Sequence, residues 1–222
     1  MPTVVTPTAD PRPGSPRARP GAGGKLVVVD AHAYLHRAYH ALPPLTTKSG
    51  RPVGALYGFS RMLLGLVKRE KPAYVAVCFD APGPTFRHKE YAQYKATRKA
   101  TDEDLRSQLA LARPLAQAMG FRCFEASGFE ADDLMATLAE RASREGLDVL
   151  LVTTDKDAMQ LVGGKVRVLH EGKGLFFDEA AVQEFHLRPG LKALDDLSKR
   201  LDGTWSPGGN GIFVRPSYRA SA

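Results

Sequence analysis

KLVVVD, residues 25–30, is a short apolar run that stops on an acid, and the design recurs in YVAVCFD (74–80) and DVLLVTTD (148–155). All three runs are short, β-rich and not strictly alternating, as in parallel strands covered on both faces. Helical patterns fill the intervals. ALYGFSRMLLGLVKRE (55–70) precedes the second run; DLRSQLALARPLAQAMG (104–120) and ADDLMATLAERASREG (131–146) precede the third, and both end in Gly, a common helix stop. FRCFEA (121–126) reads as a further short strand, KVRVLH and GLFF as a hairpin around EGKG, and EAAVQEFHL (179–187) as a short helix. The alternation predicts an α/β fold with a mostly parallel central sheet and helices on both faces.

The flanks read differently. Residues 1–24 hold six Pro and four Gly, too little apolar surface to offset the entropy of ordering, and are expected to be a disordered tail. One domain is expected over 25–190, and a loose tail over 191–222, where periodicity is lost. The 222 residues suffice for one core of ordinary size. A net charge of +7 favours a polyanionic partner. The two cysteines, Cys78 and Cys123, lie in no CxxC pair, which argues against a disulfide framework and suits a reducing compartment. No apolar run is long enough to span a bilayer, and the N-terminus has no signal-like apolar stretch. The expected setting is cytoplasmic, with no membrane partner.

In an open parallel sheet the strand C-termini share one edge, where ligands bind. Asp30, Asp80 and Asp155 should therefore converge although 50 and 75 positions separate them. Asp157 follows in the same turn. GFEADD (128–133) opens a helix behind the FRCFEA strand, which brings Glu130, Asp132 and Asp133 to the same edge. Singly, each acid has an ordinary explanation. Ser127 to Glu130 fits a capping box, and strand-terminal Asp residues cap or start turns. Seven carboxylates together do not remain ionised without a counter-ion. Oxygen-only donors select Mg²⁺ or Mn²⁺, and a set this large suggests two ions about 4 Å apart.

PTFRHKEYAQYKATRK (84–99) follows Asp80 directly. It carries Arg87, Lys89, Lys95, Arg98 and Lys99 against Glu90, with Phe86, Tyr91 and Tyr94 interleaved. Cations neutralise phosphates and aromatic faces stack on bases, so a basic aromatic arm beside an acidic edge suits a phosphodiester substrate. The competing explanation is a solvated basic helix. Arg37 could clamp a phosphate or simply face solvent. His32, His36 and His40 share one helical face and are read as packing or solvent residues.

The stretches VVVDAHAYLHRAYHALPPLTTKSGRPVGALYGF, VCFDAPGPTFRHKEYAQYKATR, GFEADDLMATLA and TTDKDAMQLV together resemble the 5′ nuclease domain at the N-terminus of bacterial DNA polymerase I, in the flap endonuclease family, over about residues 25–190. The resemblance implies a PIN-like 5′ nuclease fold with a basic helical arch after the second main strand. It implies a 5′-3′ exonuclease and structure-specific 5′-flap endonuclease, dependent on Mg²⁺ or Mn²⁺ and acting in replication and repair on DNA with 5′ flaps or 5′ ends. It puts Asp30, Asp80, Glu130, Asp132, Asp133, Asp155 and Asp157 on the family's metal-site acids. Lys95 and Arg98 fall on arch cations that contact the scissile phosphate, Tyr94 on an arch aromatic, and Arg37 on a phosphate-contacting arginine. Arg87 joins the DNA-binding set through the basic segment.

The family continues through a GDxSDN-type motif with two more metal-site aspartates, then a helix–three-turn–helix that grips duplex DNA. Here HLRPGLKALDDLSKRLDGTWSPGGNG follows instead, and Asp195, Asp196 and Asp202 do not reproduce the motif's spacing. The expectation is a copy truncated before that module. The alternative to an active nuclease is then a catalytically weak DNA-binding remnant. A phosphatase of small substrates is disfavoured, because such a substrate has no use for the basic aromatic arm.

Overall fold

The computed structural model describes residues 23–91, 101–170 and 174–186. Six strands form one sheet in the order β3-β2-β1-β4-β5-β6. They are β1 (Lys25–Asp30), β2 (Tyr74–Cys78), β3 (Arg122–Phe124), β4 (Asp148–Val152), β5 (Val166–His170) and β6 (Leu175–Phe177). The first five are mutually parallel, and β6 returns antiparallel to β5 as the expected hairpin. The helices are α1 (Ala31–Ala41), α2 (Gly54–Glu70), α3 (Phe86–Glu90), α4 (Glu103–Ala118), α5 (Ala131–Arg144) and α6 (Glu179–His186), with a 3-10 turn at Lys156–Leu161. This is the α/β architecture expected from the sequence.

The side-chain period of two in β1 explains why its apolar run does not alternate. Val27 and Val29 pack under α1, α2 and α4 with Tyr34, Phe59, Leu63 and Leu105. Leu26 and Val28 face the opposite way, into a second core with Met135, Ala139, Met159 and Val168. Both faces are thus covered, and β1 and β4, at the centre, are polar only at strand ends.

Helix α2 opens behind Val53, which offers no side-chain cap. The buried Gln108 of α4 supplies one: its Oε1 accepts the Ala55 and Leu56 amides at 2.8 and 3.3 Å, while its Nε2 donates to the Asp104 carbonyl. Close contact of α1 with α2 depends on Gly58, where an added Cβ would lie 2.6 Å from Ala38 Cβ.

The expected tails, residues 1–24 and 191–222, lie outside the described residues apart from Gly23 and Gly24, as does the region of the sought GDxSDN-type motif. Lys95, Arg98 and Tyr94 of the expected arch also lie outside them; of that segment, α3 and Tyr91 are described. No described helix is long and apolar enough to cross a membrane.

Candidate functional site

The acids are positioned mainly by capping. Asp30 is the N-cap of α1: its Oδ1 accepts the Ala33 amide at 2.9 Å, and its Oδ2 takes the Thr153 hydroxyl at 2.9 Å. Thr153 in turn accepts the Asp155 amide, and Asp155 Oδ1 accepts the Asp157 amide at the start of the 3-10 turn. Asp80 reaches from beyond β2 to α5, where its Oδ1 accepts the Ala131 amide at 2.7 Å. Capping is therefore true of these residues without being the whole account, because a carboxylate offers about four acceptor sites and each cap occupies one.

The helix start at 128–133 corrects one expectation. Ser127 does not open a capping box with Glu130. Glu130 is itself the N-cap, and Asp133 is its partner three residues on, with Asp133 Oδ2 accepting the Glu130 amide at 2.9 Å. The box sits one turn later because Gly128, at φ 85°, carries the chain through a left-handed turn before the helix begins.

Asp132 lies at the hub. Its carboxylate takes no hydrogen bond among the described residues. Burial, followed by the charges of Asp30, Asp155, Asp80 and Glu130, pushes its pKa up to about 7. Asp30 is also raised, by burial first, with a smaller push from Asp80. Asp157 is raised by burial and by Asp155. These groups feel one another, yet among the described residues no three of them make a ready chelate. The carboxylates share one sheet edge and repel one another. Such a donor set would suit a hard divalent cation, which takes oxygen ligands and retains water.

Asp133 is oriented differently. Arg87, expected to contact DNA, grips Asp133 through both guanidinium nitrogens, Nη1 to Oδ2 at 2.8 Å and Nη2 to Oδ1 at 2.6 Å. It also lies 3.6 Å from Glu130. The structure therefore gives the Arg87 charge an internal counter-ion. Arg37 is not brought to the acids. It lines a cleft of about 350 Å³ between α1 and α2 with Tyr57, Arg61 and Met62, and no acid lines that cleft. The Nη1 atom of Arg37 is buried without a hydrogen-bond partner among the described residues.

His32, read from the sequence as a packing or solvent residue, stands at the acidic edge. Its Nδ1 accepts the Asp80 amide at 3.2 Å and lies 3.7 Å from Asp80 Oδ2. The available signal was its position two residues after Asp30, which puts it in the first turn of α1 beside the strand ends.

The structure is thus an open α/β sheet whose carboxyl edge gathers acids from the ends of β1, β2 and β4 and the start of α5. The chain belongs to the 5′-3′ exonuclease family: the model of the 5′-3′ exonuclease N-terminal resolvase-like domain matches residues 25–186. It is 44% identical over 166 residues to "DNA polymerase I, thermostable" of Thermus thermophilus, covering 75% of this chain and 20% of that one. It is 39% identical over 165 residues to the "5′-3′ exonuclease" of Aquifex aeolicus, covering 74% of this chain and 57% of that one. The chain thus spans a fifth of the first relative and somewhat over half of the second. The fold matches that of the T5 D15 protein co-crystallized with metal ions, with a TM-score of 0.61 and 22% identity over 73% of this chain and 60% of that one. A T5 D15 flap endonuclease complex with DNA and metal ions gives a TM-score of 0.56, 21% identity and the same coverage.

Proposed function

We propose that the chain is a metal-dependent 5′-3′ exonuclease and structure-specific 5′-flap endonuclease hydrolysing DNA phosphodiesters in replication and repair. The observation that carries this reading is Asp132, a half-buried carboxylate without a hydrogen bond among the described residues, faced by Asp30, Asp80, Asp155 and Glu130. Membership of the 5′-3′ exonuclease family supports it. Bound divalent ions, Mg²⁺ or Mn²⁺ and two in number, supply charge neutralisation and Lewis acidity toward a phosphate.

The chain's own residues do the rest. Asp30, Asp80, Glu130, Asp132 and Asp155 hold the ions, with Asp157 beside Asp155. The caps on Asp30, Asp80 and Asp155 fix those carboxylates before substrate arrives, so little reorganisation is needed. Lys95 and Arg98 stabilise charge on the scissile phosphate, Tyr94 stacks on a base, and Arg37 contacts the backbone farther along α1. The substrate is DNA carrying a 5′ flap or 5′ end. The setting is cytoplasmic, in keeping with two free cysteines, one buried and one half-buried.

The test is cleavage of a labelled 5′-flap DNA with Mg²⁺ and with Mn²⁺, beside Asp132→Ala. Metal-dependent incision near the flap junction, reduced at least about a hundredfold in the variant, is the expected outcome. A folded chain that binds the flap but leaves it intact in both metals sinks the nuclease reading and leaves a DNA-binding remnant.

A further inference from the structure

We propose that Arg87 and Asp133 form a latch joining the root of the basic segment to the acid-bearing helix, and that Asp133 is a positioning residue rather than a metal ligand. The two-point contact at 2.8 and 2.6 Å engages both Asp133 oxygens, and Oδ2 is shared with the Glu130 amide. Little of the pair meets solvent: the side chains are 12% and 18% exposed. A planar guanidinium meeting a carboxylate fork to fork gives fixed geometry as well as attraction, which a lysine cannot reproduce.

Three further contacts make the joint stiff. The Arg87 guanidinium carbon stands 4.6 Å from the Phe86 ring centroid. Phe86 packs on Phe129, centroids 5.8 Å apart. The Phe86 amide donates to the Gly128 carbonyl at 3.0 Å. The step Phe86-Arg87 therefore grips residues 128–133 through backbone, ring and charge. Asp132 and Asp133 are adjacent on a helix of 3.6 residues per turn, so they point about 100° apart. Asp132 faces the other acids, whereas Asp133 faces Arg87. The latch sets the orientation of Glu130 and Asp132 and fixes α3 against the start of α5. Arg87, neutralised inside, contributes nothing to phosphate binding.

The activity arm of the test rests on the nuclease reading; the binding and stability arms do not. Asp133→Asn, Arg87→Gln and the double variant are compared for flap-cleavage kcat and KM, Mn²⁺ affinity by calorimetry, and denaturant midpoint. The expected result is that each single variant lowers kcat by about tenfold or more, with the double no worse than either, as coupled residues behave. Mn²⁺ affinity falls to the same extent, by about tenfold, in all three, as expected for residues that orient the ion-holding acids, while Asp132→Asn loses it by more than about a hundredfold. Arg87→Lys, which keeps the charge but not the fork, regains only part of kcat and serves if Arg87→Gln does not fold. Loss of Mn²⁺ affinity on Asp133→Asn but not on Arg87→Gln, or additive effects on the denaturant midpoint, overturns the latch. If the wild type binds Mn²⁺ yet cuts no flap, the nuclease reading fails alone, and affinity and coupling still decide the latch.

Discussion

Asp132 shows how one side chain can be unfavourable to the fold and still serve the site. Its pKa of about 7 lies above the unfolded value of about 3.8, because burial and neighbouring carboxylates penalise the ionised form. Between these values the folded chain binds more protons than the unfolded one, so stability falls as pH rises from about 4 to about 7 and then levels. Asp132→Asn should therefore raise the unfolding free energy of the metal-free protein at pH 8, read from denaturant titration, by on the order of a few kcal/mol, with little gain at pH 4. The same change should abolish stabilisation by added Mn²⁺. A metal-free variant less stable than wild type at pH 8 would contradict the assignment of Asp132 as the crowded acid. The strand-terminal acids were legible because three similar runs end on the same residue type. His32 was not, since nothing in AHAYLH tells a histidine facing a neighbouring strand end from one facing solvent.

At the level of elements, the sequence marks helix interiors better than helix starts. The patterns at 55–70, 104–120 and 131–146 locate α2, α4 and α5 to within two residues, because apolar spacing reports the buried face directly. The cap of α2 could not be read the same way: it comes from Gln108, more than fifty positions away. Similarly, the box at α5 was assigned one turn early, since Ser127 and Glu130 have suitable chemistry while the turn at Gly128 decides which residue stands at the helix mouth. Gln108→Leu keeps the volume but strands the Ala55 and Leu56 amides in an apolar site. It should cost about 2–4 kcal/mol in urea unfolding. A loss below about 0.5 kcal/mol would mean that α2 does not depend on its neighbour for a cap.

The molecule as a whole places its chemistry by strand order. The order β3-β2-β1-β4-β5-β6 puts β4 beside β1, with Val29 opposite Val152, so Asp30 accepts the Thr153 hydroxyl across a separation of 123 residues, and Thr153 in turn accepts the Asp155 amide. The parallel alternation and the two-faced core were foreseeable from β-rich runs between amphipathic helices. The neighbour relations that orient each acid were not, because they depend on which strand enters the middle. A chain ending at Arg144 would carry Asp30, Asp80, Glu130, Asp132 and Asp133 but lack β4. It should show no saturable Mn²⁺ binding by calorimetry, and binding at the affinity of the whole chain would refute the dependence on β4. The order also has a meaning in time. During synthesis β1 remains an edge of the sheet until β4, preceding the last of the strand-end acids, emerges beside it, so an unfinished polypeptide holds Asp30, Asp80, Glu130, Asp132 and Asp133 without Asp155 and Asp157. Completion of the acidic edge is thereby tied to completion of the sheet rather than to the appearance of any one acid.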